Sequence, residues 1–389
     1  MKSTRPTVLV LALERLDRDI RIQKQIRTLQ RGFDVTLAAL SRAPGSGYDF
    51  VQLEQRKWSG CIFWVSAKIQ ATGYAPFSHL RMRLAFYVSS IAKLDRQDLI
   101  VCNNVESLPI GLYLKRKWGC RLLADLHEYA AAGHRHAAKR DRAIRLCRDC
   151  FPHIDQALTV SHGLEKLYKD DFSLDCKVVP NVPYRHPGPH SPCCVDRPPF
   201  RMVCHGICAA GRGLLELLEL AALLENSWSL TLMLVPPESN RGSTTYDLIV
   251  GRAAALKNVE IRPPVPADQV VSEISKYDAG VYLMPGDSLN KIHAKPNKFY
   301  DFIQAGLAVF VGPDLLEMAE FVTSKNCGFV CEAHSPASMA SLLASIDSER
   351  LLELKEGSRA AAAQWCHEVH EDRLLDYALT LCRPESSAG

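Results

Sequence analysis

A chain of 389 residues, 47% hydrophobic and 23% charged, is long enough for two cores and has the make-up of a globular protein, not a disordered or fibrous one. No apolar run approaches the roughly 18 residues that a membrane span needs, and the opening M-K-S-T-R-P-T-V-L-V passes straight into a strand without the apolar core of a signal peptide. The net charge of +4 conceals an asymmetry: residues 1–187 hold 30 Lys and Arg against 18 Asp and Glu, a net of +12, and the remainder carries −8.

The first half reads as alternating strands and helices. Strands are expected at Thr7–Leu13, Val35–Leu40, Cys61–Val65, Leu99–Cys102, Arg121–Ala124, Gln156–Val160 and Lys177–Val179. Helical spacing falls at Ile20–Gln30, His79–Lys93, Glu106–Lys117 and Gly163–Lys169. Such alternation implies a mostly parallel sheet covered on both faces. The basic excess is densest in Lys115-Arg116-Lys117 and in Arg135 to Arg148. That face is either a solvated helix surface or a place for peripheral contact with anionic membrane lipid or a phosphate-bearing acceptor. Nucleic acid is not expected, because no stacking aromatics are interleaved with the charge.

Cysteine usage sets the compartment. Fourteen cysteines are scattered along the chain, some inside expected strands (Cys102, Cys204) and two adjacent (Cys193, Cys194). They fit free thiols in a reducing cytoplasm. Cys147-x-x-Cys150, with His153 behind it, is half of a zinc site at most. No second pair follows, the spacing is that of one helix face, and no metal is expected.

Residues Pro183 to Pro199 are rich in proline and lack periodicity, which marks a linker. Alternation then restarts: strand Phe200–Cys204, helix Leu214–Glu225, strand Ser229–Leu234, helix Tyr246–Leu256, strand Ala279–Met284, and helical segments over Glu349–Leu381. The expected division is 1–187, a linker 188–199, 200–365, and 366–389 as a last helix and tail. Two such halves should face each other across a cleft, with ligands at the carboxyl ends of their strands.

The most informative stretch is Lys295–Gly306, K-P-N-K-F-Y-D-F-I-Q-A-G. It follows a strand and a polar loop holding Asp287, Asn290 and His293. Pro296 suits the first position of a helix, and Gly306 can end it before the strand Ala308–Val311. Asn297 and Lys298 then stand at a helix N-terminus, which attracts anions through its free N–H groups and dipole. Asp301, one turn inside, is positioned to accept hydroxyl hydrogen bonds. That is chemistry for a ribose beside a diphosphate.

This stretch resembles the donor-binding segment of retaining glycosyltransferases of the GT-B fold, family 4, in the subgroup reading P-N-K-x-x-E-Y/F. Other segments resemble the family in the same order. They are Asp19-Ile20-Arg21 with Gln25, Leu29 and Gly32; Asp125-Leu126-His127-Glu128-Tyr129; Val160-Ser161-His162-Gly163; Val179-Pro180-Asn181; and His205-Gly206 with Gly211-Arg212-Gly213. The resemblance implies an α/β GT-B architecture of two Rossmann-like domains, the last helix crossing back to the first. It implies transfer of a hexose-type sugar from a nucleoside diphosphate to a glycan, lipid-linked or other acceptor, with no cofactor and no metal. The implied place is the cytoplasm, or peripherally the inner face of a membrane.

On the same basis, Gly206, Arg212, Pro296, Asn297, Lys298 and Asp301 would bind the donor, and Arg212 and Lys298 would offset charge on its departing diphosphate. His127 would contact the transferred sugar. Asp19 and Arg21 would stand on the acceptor side, although Asp19 serves equally as the N-cap of the first helix. Glu128 either binds acceptor or caps the next segment. Two positions depart from the family. Many relatives carry two glutamates eight positions apart, where this chain has His293 and Asp301, and many have arginine where it has Ile207. These departures motivate an alternative, a catalytically silent partner subunit of the same fold. An epimerase would need a proton-transfer set that is not evident. A dehydrogenase would need G-x-G-x-x-G after the first strand, where Glu14-Arg15-Leu16-Asp17 stands.

Overall fold

The computed structural model describes residues 5–13, 16, 19–53, 87, 90, 93–132, 137–186, 198–236 and 243–383. The expected strand Cys61–Val65, Arg135 and most of the helix His79–Lys93 lie outside them. The chain forms two compact units, Met1–Pro180 with Glu371–Gly389, and Asn181–His370.

In the first unit, seven described strands form one sheet: β1 (Thr7–Ala12), β2 (Asp34–Ala39), β3 (Asp49–Gln52), β4 (Leu99–Asn103), β5 (Arg121–Leu126), β6 (Gln156–Thr159) and β7 (Cys176–Val178). Their order is β3-β2-β1-β4-β5-β6-β7 and every pairing is parallel. Central strands of such a sheet are covered on both faces and read as unbroken apolar runs. Accordingly all five residues of β4 are buried. The helices are α1 (Ile20–Leu29), α2 (Leu108–Trp118), α3 (Ala137–Cys150) and α4 (His162–Phe172). Asp19 caps α1, its carboxylate accepting from the Ile22 N–H at 3.0 Å. Gly119, left-handed at φ 66°, ends α2.

Cys147 and Cys150 point into the core from α3, and burial pushes both thiols up to about 12. Both are packed among the apolar side chains of that core. Lys139, Arg140, Arg142, Arg145 and Arg148 lie on the exposed side of the same helix.

The second unit restarts the pattern with β8 (Phe200–Ile207), α5 (Leu214–Leu223), β9 (Trp228–Val235), α6 (Ser243–Ala253), β10 (Val259–Arg262), α7 (Val270–Ile274) and β11 (Ala279–Tyr282). It continues with α8 (Leu289–Ile292), α9 (Asn297–Gln304), β12 (Ala308–Val311), α10 (Leu316–Ser324), β13 (Gly328–Val330), α11 (Pro336–Ala344) and α12 (Ser348–Gln364). The sheet order is β10-β9-β8-β11-β12-β13, again parallel throughout.

The seam between the units falls after Pro180, ahead of the proline-rich stretch. Val182 is fully buried in the second unit's core, Arg185 donates to Glu368 and to the Ala363 carbonyl, and the His186 N–H donates to Gln304. The chain returns to the first unit at 371, past the expected boundary at 366. Trp365 stacks on Tyr300 and holds His370 against it, which keeps that stretch in the second unit. Beyond it α13 (His367–Cys382) gives Leu374 and Ala378 to the first unit's core. Among the described residues no helix is long and apolar enough to cross a membrane.

Candidate active site

Among the described strands, each sheet has one place where the chain stops adding strands on one side and starts on the other: between β1 and β4, and between β8 and β11. Open α/β sheets bind ligands at the carboxyl ends of strands beside such a switch point. The candidate residues gather at both.

In the second unit the connection from β8 to α5 is a glycine turn. Gly206, Gly211 and Gly213 have φ of 118°, 73° and 74°, a region closed to most side chains. Gly213 also passes so close to the residue that follows β11 that a Cβ there would meet the Leu283 carbonyl oxygen at 1.9 Å. Arg212 is exposed in this turn. Lys291 ties the turn to the next loop, its ammonium 2.9 Å from the Gly211 carbonyl and 2.8 Å from Asp287.

Helix α9 lies directly on β11. Phe299, Tyr300, Phe302 and Ile303 are fully buried, and Gly280 admits the Phe302 ring, which a Cβ would meet at 2.3 Å. This close approach leaves Lys298 and Asp301 on the partly open face. Pro296 is the N-cap, not the first helical residue, so the helix starts one residue later than the sequence suggests, at Asn297. Gly306, at φ 67°, ends the helix as expected.

Lys298 reaches over the Tyr282 ring, 4.1 Å from its centroid, and 4.0 Å from Cys204 Sγ. Asp301 Oδ2 is 3.5 Å from His205 Nε2. His205 is buried edge-on to Phe302, and burial, with the Lys298 charge second, pushes its pKa down to about 3. The ring is therefore neutral across the physiological range. His293 ends α8, its N–H donating to the Leu289 carbonyl, and Ile207 is 59% exposed at the end of β8. Gly206, Lys298 and Asp301 thus come together around His205, a residue that sequence reasoning quoted only as part of a motif.

In the first unit the switch point holds a buried polar chain. Arg21 clasps Asp125 through both oxygens (Nη2–Oδ1 2.5 Å, Nε–Oδ2 3.2 Å) and donates to the Val179 carbonyl. Gln25 donates to Asp125 Oδ2 at 2.7 Å, and Asn103 donates to Gln25 at 2.9 Å. Burial alone would raise the Asp125 pKa, but Arg21, and His127 after it, hold the carboxyl well below the ordinary range. His127 Nε2 lies 3.1 Å from Asp125 Oδ2, a close electrostatic contact short of a well-directed hydrogen bond.

The segment after β5 is pinned from its other side too. The His127 N–H is 3.3 Å from Asn104 Oδ1, and Tyr168 donates to the Glu128 carbonyl at 2.6 Å. The Glu128 side chain is exposed. Asp19 serves as the helix cap, and Arg21 is turned inward onto Asp125. The signal for Asp125 was a charge inside the apolar strand L-L-A-D-L; nothing near it in sequence named its partner. Among the described residues no group of three or more His, Cys, Asp or Glu is arranged to hold a metal ion.

No family model and no curated protein matches this chain. Solved structures do. A glycosyltransferase from Rickettsia africae shares 11% identity at a TM-score of 0.67 over 98% of this chain and 100% of that one. Sucrose-phosphate synthase from Thermosynechococcus elongatus shares 12% at 0.69, over 97% and 99%. Anabaena HepE, solved with UDP and glucose, shares 13% at 0.67, over 97% and 100%. At such identities the likeness is one of fold. The fold is that of the GT-B glycosyltransferases, an α/β architecture built from two Rossmann-like units.

Proposed function

We propose that the chain is a retaining, metal-independent glycosyltransferase, moving a hexose-type sugar from a nucleoside diphosphate to a glycan, lipid-linked or other acceptor. The observation that carries this reading is the convergence of Lys298, Asp301, His205 and the glycine turn at the switch point of the second unit. A diphosphate at the start of α9 meets free N–H groups and the helix dipole. Lys298 and Arg212 offset the negative charge that grows as the sugar–phosphate bond breaks, the work a metal ion does elsewhere. Asp301 accepts from the ribose hydroxyls, and neutral His205 beside it adds no competing charge.

UDP and glucose in HepE, and UDP-2-fluoro glucose in an Escherichia coli neighbour, make uridine diphosphate sugars the first donors to test. His127 is assigned to the transferred sugar and Glu128 to the acceptor, by the resemblance of their segment. The exposed cations of α3 support contact with an anionic membrane face, where a lipid-linked acceptor would be met. The free buried cysteines support a reducing, cytoplasmic setting.

The test is nucleotide release by the purified chain from uridine, guanosine, adenosine and thymidine diphosphate sugars, beside thermal unfolding with each. A ligand that binds only the folded state at about 100 times its Kd adds about 2.7 kcal/mol. Stabilisation by one donor class with release of its diphosphate is expected. Stabilisation without release would instead mark a silent subunit, and neither effect with any donor would overturn the reading.

A further inference from the structure

The buried chain Asn103–Gln25–Asp125–Arg21 has no part in the transfer as assigned so far. A buried ion pair adds little stability over apolar side chains of the same volume, so stability does not account for it. The chain has one further neighbour, His127. We propose that Asp125 is the positioning residue for His127, accepting a hydrogen bond from Nε2 and leaving Nδ1 as the nitrogen offered to the reacting sugar. The proposal rests on the role given to His127 above.

Three observations carry it. Asp125 Oδ2, at 3.1 Å, is the close polar neighbour of Nε2, which makes no well-directed hydrogen bond to any described residue. The carboxylate cannot swing away, because Arg21 holds both its oxygens and Gln25 holds Oδ2 from a second direction. The backbone at 127 and 128 is anchored independently by Asn104 and Tyr168. A histidine opposite a fixed anion keeps its proton on the nitrogen facing that anion, because the other tautomer would turn a lone pair toward negative charge. Arg21 therefore acts at one remove: it keeps Asp125 ionised and still, and Asp125 sets the ring. This accounts for an arginine that the resemblance places on the acceptor side and the structure buries.

The experiment uses the full chain. Asp125→Asn should lower turnover roughly 10–100-fold, part of the 10²–10⁴ that a positioned histidine can contribute, with donor affinity changed less than about twofold. Because Asp125→Asn strands the Arg21 charge, Asp125→Asn with Arg21→Gln is made as well. That pair keeps hydrogen-bonding side chains without net charge, and should fold yet remain as slow. In a His127→Ala background, Asp125→Asn should cost no further turnover. Losses that add instead would overturn the proposal, whereas unchanged turnover in His127→Ala alone would overturn the role of His127.

A readout independent of activity is the imidazole ¹⁵N spectrum. His127 should be protonated at Nε2 in the unmodified chain, with Nδ1 protonation appearing in Asp125→Asn. A ring already protonated at Nδ1 alone in the unmodified chain would overturn the proposal whatever the turnover.

Discussion

The Lys298 ammonium sits over the face of Tyr282, 4.1 Å from the ring centroid, so the strand ending in Tyr282 fixes where the helix presents its charge. A cation over an aromatic face gains about 0.5–2 kcal/mol. The Tyr282 hydroxyl is buried without a well-directed hydrogen bond. Tyr282→Phe should therefore keep nucleoside diphosphate affinity and leave stability equal or up to about 1 kcal/mol higher. Tyr282→Leu removes the ring and should weaken binding by about 0.5–2 kcal/mol. Calorimetric titration of both variants checks this, and equal affinities for Phe and Leu would remove the ring from the account.

Asp301 lies on the partly open face of α9. Asp301→Ala removes a charged acceptor from the ribose and should weaken nucleoside diphosphate binding by about 1.5–3 kcal/mol. Its effect on thermal unfolding should be smaller, since the buried face of the helix is untouched. Unchanged affinity by calorimetry would take the ribose away from Asp301.

Arg212 is exposed in a turn whose path is fixed by Gly213 against Leu283. A donor aimed at the leaving diphosphate helps the transition state more than the ground state. Arg212→Ala should lower turnover by roughly 10²–10³. Arg212→Lys should recover only part, because an ammonium cannot span two phosphate oxygens. Near-normal turnover in the alanine variant would exclude this role.

His205 gives the second unit a pH dependence of definite sign. Its folded pKa, about 3, lies below the ordinary histidine value, so the unfolded chain takes the proton first. The neutral ring's contribution is whole above roughly pH 6.5 and declines as pH falls toward 3, by about 1.4 kcal/mol per unit. Urea unfolding at pH 7 and pH 5 should show this loss, and His205→Gln should flatten it. An equal slope in the glutamine variant would assign the dependence to other groups.

The parts of the fold legible in sequence are those whose cause is local. The strand Ala308–Val311 has the expected bounds because an apolar run beside a helix-ending glycine is a local signal. The strands β3, β10 and β13 gave no such signal. Each is a sheet edge of three or four residues, and an edge strand is defined by the partner it pairs with more than by its own composition. The same division holds at the sites. Lys298 and Asp301 were legible because one helix carries both. Arg21 and Asp125 were each noticed in a motif, but their pairing joins residues 104 apart, and only the sheet order brings them together.

The first unit borrows its last layer from the far end of the sequence. Arg31 is bound by Glu371 and Asp372, and a Cβ on Gly32 would meet Leu375 at 3.0 Å. During synthesis, the first unit's sheet and α1 leave the ribosome with the part of their core that Leu374 and Ala378 later fill still uncovered. It stays so while the residues up to 370 are made, about 10–40 s at ordinary elongation rates. Completion of the first unit is thus timed by the second, and a nascent chain halted anywhere before α13 carries an apolar face that a chaperone can hold.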